Sequence, residues 1–273
     1  MSDAEKQYID LYTEASEAIK SHSAEVMNAV RDRAFDDFRR QGFPSRKVER
    51  YKYTDMEQLF APNYGVNVNR VEFHVDPNAA FRCDVPNLST LLYCVVNDAF
   101  YTQKLPSVQP EKGIIIGSLS QVAKERPELV GKYYAKIAHT GEDAVTALNT
   151  MLAQDGLFVY VPKNVEMERC VQVINILRAD VNLMVNRRVL IVMEEGAKAK
   201  LLFCDHTVDD RDFLATQVIE AYVGENASLD LYCLEETHNK NHRVSNVYIE
   251  QQRNSRVNHN VITLHNGVTR NRL

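Results

Sequence analysis

The chain has 273 residues, of which 45% are hydrophobic and 25% charged, enough for one large domain or two ordinary ones with a sizeable core. Its 32 basic and 37 acidic side chains give a net charge of −5, and that acidic balance argues against nucleic acid as the main partner, because neutralising phosphates needs a basic face. The longest aliphatic run, Val189 to Met193, is far too short to span a membrane and fits a buried strand.

Two helices are predicted first. Ser2 and Glu5 have capping-box spacing ahead of an apolar face formed by Tyr8, Leu11, Tyr12, Ala15 and Ile19. Ser23 is the expected cap of a second helix with Met27, Val30, Ala34 and Phe38 as its stripe, closed by Gly42 and Pro44. Thr54 with Glu57 predicts a short helix toward Leu59. Leu92 to Val96 and Ile114 to Ile116 read as short buried strands, and Ser118 with Gln121 and Thr140 with Asp143 as helix starts. In the last of these helices Val145, Leu148, Met151 and Leu152 share a face, and Gly156 is expected to close it. The division expected is a helical region at 1–60, a small α/β region at 61–155 and a strand-rich core at 156–273.

After Gly156 strand-like segments come in pairs: Phe158 to Val161 and Val171 to Leu177, Val189 to Met193 and Ala199 to Phe203, Gln217 to Val223 and Ser228 to Leu234, Asn246 to Glu250 and Val257 to Leu264. The turns centre on Asn164, Gly196, Asn226 and Asn254, roughly thirty residues apart, and a fixed period of this kind marks a repeat architecture. Ala199, Leu201 and Phe203 alternate onto one face, as do Leu229, Leu231 and Cys233, so each repeat has an apolar side that only stacking can bury. The fold class expected is therefore α+β: a helical and small α/β region followed by a right-handed parallel β-helix, with a β-sandwich as the alternative. Leu264-His265-Asn266-Gly267 runs from strand to turn six residues before the end of the sequence. An uncapped edge there predicts either a covering partner or a longer protein, and the second is expected.

Little in the sequence announces an active site. Gly113 and Gly117 bracket three isoleucines without a phosphate-binding Gly-Lys-Ser/Thr ending, and there is no Gly-x-Ser-x-Gly elbow. His238 and His242 have the i, i+4 spacing of a helical zinc site but sit in a polar stretch that reads as a loop. Cys204 and His206 flank Asp205, and alternation opposite Phe203 points both outward, where thiolate and imidazole suit zinc or iron. One strand offers too few ligands for a complete site, so a structural role is expected. Cys233, in register with Phe203, is expected in the core. The pairs Asp209-Asp210 and Glu235-Glu236 stand at segment ends, where carboxylates normally meet water. Cys83, Cys94, Cys170, Cys204 and Cys233 are odd in number and never spaced Cys-x-x-Cys, which predicts free thiols in a reducing cytoplasm. The opening Met-Ser-Asp-Ala-Glu-Lys has no basic and apolar signal pattern. No catalytic, cofactor-binding or metal-ligating residue is assigned.

Three stretches carry a family resemblance. Gly42-Phe43-Pro44, continuing through Glu49 to Tyr51-Lys52-Tyr53-Thr54, resembles the Gly-x-Pro…Glu-x-Trp-Lys-Tyr-Thr signature of the SufD side of the SufB/SufD family of iron–sulfur cluster assembly proteins. Leu148-Asn149 and Asp155-Gly156 through Tyr160-Val161-Pro162-Lys163 resemble the family's entry into its β-helix. Asn266-Gly267 through Arg270-Asn271 is similar to a turn that the family carries partway through that helix. Tyr51 stands where Trp is usual, and Cys170 where a Pro often precedes the next strand.

The resemblance implies a non-catalytic scaffold subunit of the SufBCD complex. Such a subunit pairs with a SufB-like paralogue through the β-helices and with a SufC-like ATPase through a C-terminal helical domain that would lie beyond Leu273. It implies that iron–sulfur cluster and ATP are handled by the complex, with no cofactor bound by this chain alone and a homodimer possible in isolation. The family's cluster-ligating histidine matches none of the eight histidines here. Two other classes remain open on residues alone: a secreted-type carbohydrate-active β-helix enzyme, which would need carboxylates converging across coils, and a nucleic-acid adaptor using the locally basic Arg39 to Lys52 segment, which otherwise reads as a solvated face.

Overall fold

In the computed structural model, which describes residues 1–76, 90–101 and 112–273, the chain after Gly156 climbs as parallel strands that alternate between two sheets. The strands are β1 (Gly65–Val66), β2 (Thr90–Val96), β3 (Ala99–Tyr101), β4 (Ile115–Ser118), β5 (Leu157–Val161), β6 (Cys170–Leu177), β7 (Leu183–Met193), β8 (Lys198–Thr207), β9 (Phe213–Val223), β10 (Ser228–Glu236), β11 (Asn241–Gln251), β12 (Arg256–His265) and β13 (Val268–Arg272). One sheet has the order β13-β11-β9-β7-β5-β4 with β1 beside β7; the other has the order β12-β10-β8-β6-β2-β3. All pairings within the stack are parallel, and among the described residues only β2–β3 and β4–β5 are antiparallel. This is a parallel β-solenoid of about four turns, as the repeat predicts, and not an antiparallel sandwich.

The turns form where left-handed backbone is easiest. Asn164, Gly196, Asn226 and Asn254 all have positive φ, between 57° and 68°, a region that Gly and Asn tolerate best. The Asn254 side-chain amide donates to the Asn226 side-chain oxygen at 3.3 Å across the coils. The circuits counted on the first sheet shorten steadily, while those on the second run 30, 30 and 28 residues. Along the first sheet Leu157 pairs with Val189, Leu183 with Phe213, Phe213 with Asn241 and His242 with Val268, intervals of 32, 30, 28 and 26 residues. While β7, β9 and β11 all keep 11 residues, the first step comes from the turn side, where eight residues join β5 to β6 and four join β7 to β8, and the later steps fall mainly in the crossovers. β6–β7 and β8–β9 are joined by five residues, β10–β11 by four and β12–β13 by two.

Between the sheets lies an apolar core of Val159, Val173, Ile191, Leu201, Phe203, Ile219, Leu231 and their neighbours. Cys233 is part of it, in register with Phe203 as expected. The first sheet's outer face is roofed by helices: α1 (Asp3–Ser21), α2 (Glu25–Asn28), α3 (Arg31–Gln41), α4 (Met56–Phe60), α5 (Leu119–Glu125), α6 (Pro127–Tyr133) and α7 (Ala144–Leu152). Every residue of α7 is buried, and its Ala144, Leu148 and Met151 pack with Tyr8, Phe38, Met184 and Leu214.

The capping box of Ser2 and Glu5 forms as predicted, and the Glu5 carboxylate also accepts from Phe43 N at 2.9 Å. Gly42 closes α3 with φ 59°, and a Cβ there would stand 2.3 Å from Glu5 Oε1. Ser118 caps α5 as expected. Four local expectations are corrected. Ser23 caps nothing: its hydroxyl accepts from Arg31 Nη2 at 2.7 Å, and the expected second helix breaks at Ala29–Val30 into α2 and α3. Asp55, not Thr54, caps α4 through Gln58 N. Thr140 opens a 3-10 turn and donates to Asp37, leaving Asp143 as the cap of α7. Gly156 does not close that helix, whose last turn ends on extended Ala153; it lets the chain enter β5 directly beneath β7.

A Cβ on Gly156 would lie 2.0 Å from the Arg188 carbonyl oxygen, a backbone atom that cannot swing aside. Gly156→Ala is expected to lower the unfolding free energy by about 2 kcal/mol or more, at the upper end of overpacking costs, measured by urea denaturation.

Candidate functional site

Inward positions on β6, β8, β10 and β12 carry Asn175, Asp205, Glu235 and Thr263 in one column across the coils. Facing them from the first sheet are Arg187 on β7 and Arg243 on β11. Arg187 Nη1 is 2.6 Å from Asp205 Oδ1, and Arg243 Nη1 is 2.9 Å from Asp205 Oδ2. Arg243 Nε is 3.1 Å from Glu235 Oε1. The four side chains are at most 5% exposed, and two cations alternate with two anions in a neutral chain inside the solenoid. Asn175 donates to Asp205 at 2.8 Å, while Thr263, Thr269 and Asn266 donate to Glu235 at 2.9, 2.7 and 2.8 Å. Burial alone would raise the Asp205 pKa, but the guanidinium groups of Arg187 and Arg243 and the Asn175 amide outweigh it and hold the carboxyl below its usual range.

A second buried pair lies on the other face of the same sheet. Arg188 and Glu220 are wholly buried and ion-paired. Glu220 also accepts from the amides of Ala135, Ile137 and Ala138 at 2.9, 3.3 and 3.2 Å. Arg188 donates to Thr150 Oγ1 at 2.9 Å and lies 4.8 Å from the Tyr134 ring centroid.

The candidate residues of the sequence are scattered by the fold. Cys204 and His206 do lie on the face away from the core, but both are buried rather than open to solvent. Outer-face neighbours Cys94, Ile174 and Ile176 form an apolar cluster with Val75 and Phe73 above that sheet, and the Gln172 amide lies 3.6 Å from Cys204 Sγ. His238 is in a turn, its Nε2 2.9 Å from the Asp209 carbonyl, whereas His242 belongs to β11 and accepts from Val268 N at 2.9 Å. The expected polar loop thus holds only the first of them. Asp210 and Glu236 are exposed as expected, and Asp209 is partly buried against Arg178 and the Ala179 amide. Glu235 overturns its expectation, being buried because Arg243 and three neutral donors replace water around it. The carboxylates do not converge as a carbohydrate-cleaving pair would require. Burial pushes the Cys94 and Cys233 thiols up to about 12, and Cys83 lies outside the described residues. Among the described residues no three His, Cys, Asp or Glu side chains gather as a metal cluster.

Two of the resemblance-bearing stretches meet in space. Tyr51, buried at 1% exposure, donates its hydroxyl to Asp143, the cap of α7. Arg270, from the Asn266–Asn271 stretch, lies with its guanidinium 4.0 Å from the Tyr51 ring centroid and donates to the Arg50 carbonyl at 3.1 Å. Arg272 and Asn246 bind the same Asp143 at 3.0 and 2.8 Å. A family profile described as the SufBD protein N-terminal region matches residues 2–173, and one described as the SufBD core domain of SUF-system FeS cluster assembly matches residues 176–273. The chain belongs to the SufBD family.

Similar curated SufBD proteins include iron–sulfur cluster assembly protein SufD of Bacillus subtilis (strain 168), 27% identical over 147 residues, 54% of this chain and 34% of that protein. The SufBD family protein ABCI9 of Arabidopsis thaliana is 29% identical over 157 residues, 54% of this chain and 33% of its own. The SufBD family protein slr0074 of Synechocystis is 34% identical over 122 residues, 44% of this chain and 25% of its own. The chain thus spans about a third or less of these relatives' lengths. Membership supports a role in iron–sulfur assembly. The first signature belongs to the N-terminal match and the turn to the core match, so the Tyr51–Arg270 contact joins the two SufBD regions.

Two outcomes test this site. Asp205→Asn leaves Arg187 without a buried counter-charge and is expected to cost about 3 to 5 kcal/mol in urea unfolding. Since the folded Asp205 pKa is depressed, its contribution is complete above the ordinary carboxylate range and is lost as pH falls through the folded value. The gap between wild type and variant should therefore narrow on acidification. Arg270→Ala removes the desolvated cation from Tyr51 and is expected to lower the unfolding free energy by about 2 kcal/mol.

Proposed function

We propose that this chain is a non-catalytic scaffold of iron–sulfur cluster assembly that acts in the reducing cytoplasm through protein contacts. The observation that carries the reading is the SufBD core match falling on a parallel solenoid. Solenoids of this kind offer partners extended, rigid surfaces, here to a paralogous solenoid or to a second copy of the chain. The partners proposed are a SufB-like paralogue, met through the solenoids, and a SufC-like ATPase, met through regions beyond Leu273. Cluster and nucleotide are then handled by the assembled complex, and the isolated chain holds neither and can pair with itself.

Inside the scaffold, the residues at hand position and stiffen. The neutral chain of Arg187, Asp205, Arg243 and Glu235 fixes the coils against one another, and Asp143 gathers Tyr51, Asn246 and Arg272 where the helical roof meets β11 and β13. These contacts keep an assembly surface from shifting as partners come and go.

The test is co-expression of the full reading frame with SufB-like and SufC-like proteins. A defined complex on size exclusion is expected, while anaerobic iron and sulfide reconstitution of the isolated chain should give no stoichiometric chromophore. A chain that elutes alone in the presence of both partners would remove the basis of the reading.

A further inference from the structure

At the turn-side end of the first sheet a groove of about 340 Å3 runs between α6, at the margin of the helical roof, and the β7–β8 and β9–β10 turns. Its floor is aromatic. Tyr222 on β9 packs on Tyr133 of α6 with ring centroids 4.8 Å apart, and its hydroxyl donates to the Tyr133 carbonyl at 2.7 Å, which fixes the rings against each other. The rim carries Glu194, Glu195, Glu225 and Glu250, while the cation lining the groove is Lys132. Lys163 neutralises Glu195 at 2.6 Å, and Arg253 follows one coil beyond Glu225. The excess therefore rests on Glu194 and Glu250, with Glu225 between.

The rim is also rigid. A Cβ on Gly224 would stand 2.8 Å from the Glu194 carbonyl carbon, so successive turns are in backbone contact and hold their carboxylates in place. The groove already displays the contact it is suited to: the Lys132 ammonium sits 4.8 Å from the Tyr133 ring centroid. Aromatic faces with carboxylates at their margin attract ammonium and guanidinium groups by both quadrupole and charge.

We propose that this groove docks a lysine- and arginine-rich segment of a partner protein, the aromatic floor taking one cationic side chain and the rim its neighbours. The proposal goes beyond the scaffold reading and can fail or succeed without it. The probe is a fluorescein-labelled peptide of alternating Lys, Gly and Arg, followed by anisotropy on the full chain at low and moderate salt, with a Glu-containing peptide and spermidine as comparisons. Binding of the basic peptide alone is expected. Glu225→Lys with Glu250→Lys should weaken it at least tenfold, and Tyr133→Leu, which leaves the charge unchanged, at least threefold. Asp210→Lys with Glu236→Lys, on the opposite edge of the solenoid, should leave it within twofold, with thermal melts confirming that each variant is folded. The proposal is overturned by absence of binding, by equal loss in the opposite-edge control, by indifference to Tyr133→Leu, or by spermidine competing as well as the peptide.

Discussion

Arg188 and Glu220 meet where the helical roof rests on the solenoid, and neither touches solvent. Moving two charges out of water costs several kcal/mol for each ion, recovered only when their remaining protons and lone pairs find partners. Here the partners come from the roof, and among the described residues Nε is the one guanidinium nitrogen left without a hydrogen bond. Thr150 of α7 and the Tyr134 ring attend the cation, and three amides of the segment after α6 attend the anion. Those amides converge because Ala135 takes a left-handed backbone, φ 56°, an unfavourable choice for alanine that the carboxylate stabilises. Sliding the roof by one strand repeat along β9 would set the amides of Ala135, Ile137 and Ala138 over Val218 or Tyr222 and leave the buried Glu220 without them. Roof and solenoid are thereby locked in a single docking.

The interior chain of Arg187, Asp205, Arg243 and Glu235 applies the same logic between sheets. Apolar rungs of similar size stack almost equally well one rung out of place, whereas alternating charges do not. The charged column therefore complements the apolar core: the core supplies most of the driving force, and the charges select the register. Arg31 extends the theme within the roof. It is buried and donates to the carbonyls of Thr150 and Met151, covering the otherwise open C-terminal end of α7.

Much of this architecture was legible in the residues, for identifiable reasons. The αL turns showed because few residues other than Gly and Asn adopt that backbone cheaply, so Asn164, Gly196, Asn226 and Asn254 marked the coil period. The strands themselves were read short. β7 begins at Leu183 and not Val189, and β9 at Phe213 and not Gln217, because Arg187, Arg188 and Gln217 interrupt the apolar pattern although they are buried. Glu235 misled for the same reason: a carboxylate at a strand end suggests water, and its partners are Arg243 on the facing sheet and Thr263, Asn266 and Thr269 about one coil further on. Ser23 had the right residue type for a cap, but the Arg31 guanidinium claimed its oxygen. The signal that was missed is the placement of charged residues at inward positions of alternating opposite sign on neighbouring strands.

The shrinking circuit of the solenoid makes the stack directional. The later part of that shortening, from 30 to 26 residues per turn, falls mainly in the crossover that narrows from five residues to the two residues Asn266 and Gly267. There a Cβ on Gly267 would collide with the Asn239 and Asn241 carbonyls at 2.5 and 2.7 Å. The body is a wedge rather than a cylinder, and its coils are not interchangeable modules. A circular shuffle or duplication of coils would join unequal circumferences. Extra residues are accommodated at the wide crossovers after β6 and β8, and hardly at all at the narrow one, so that side of the wedge records where such a fold can vary and where it cannot.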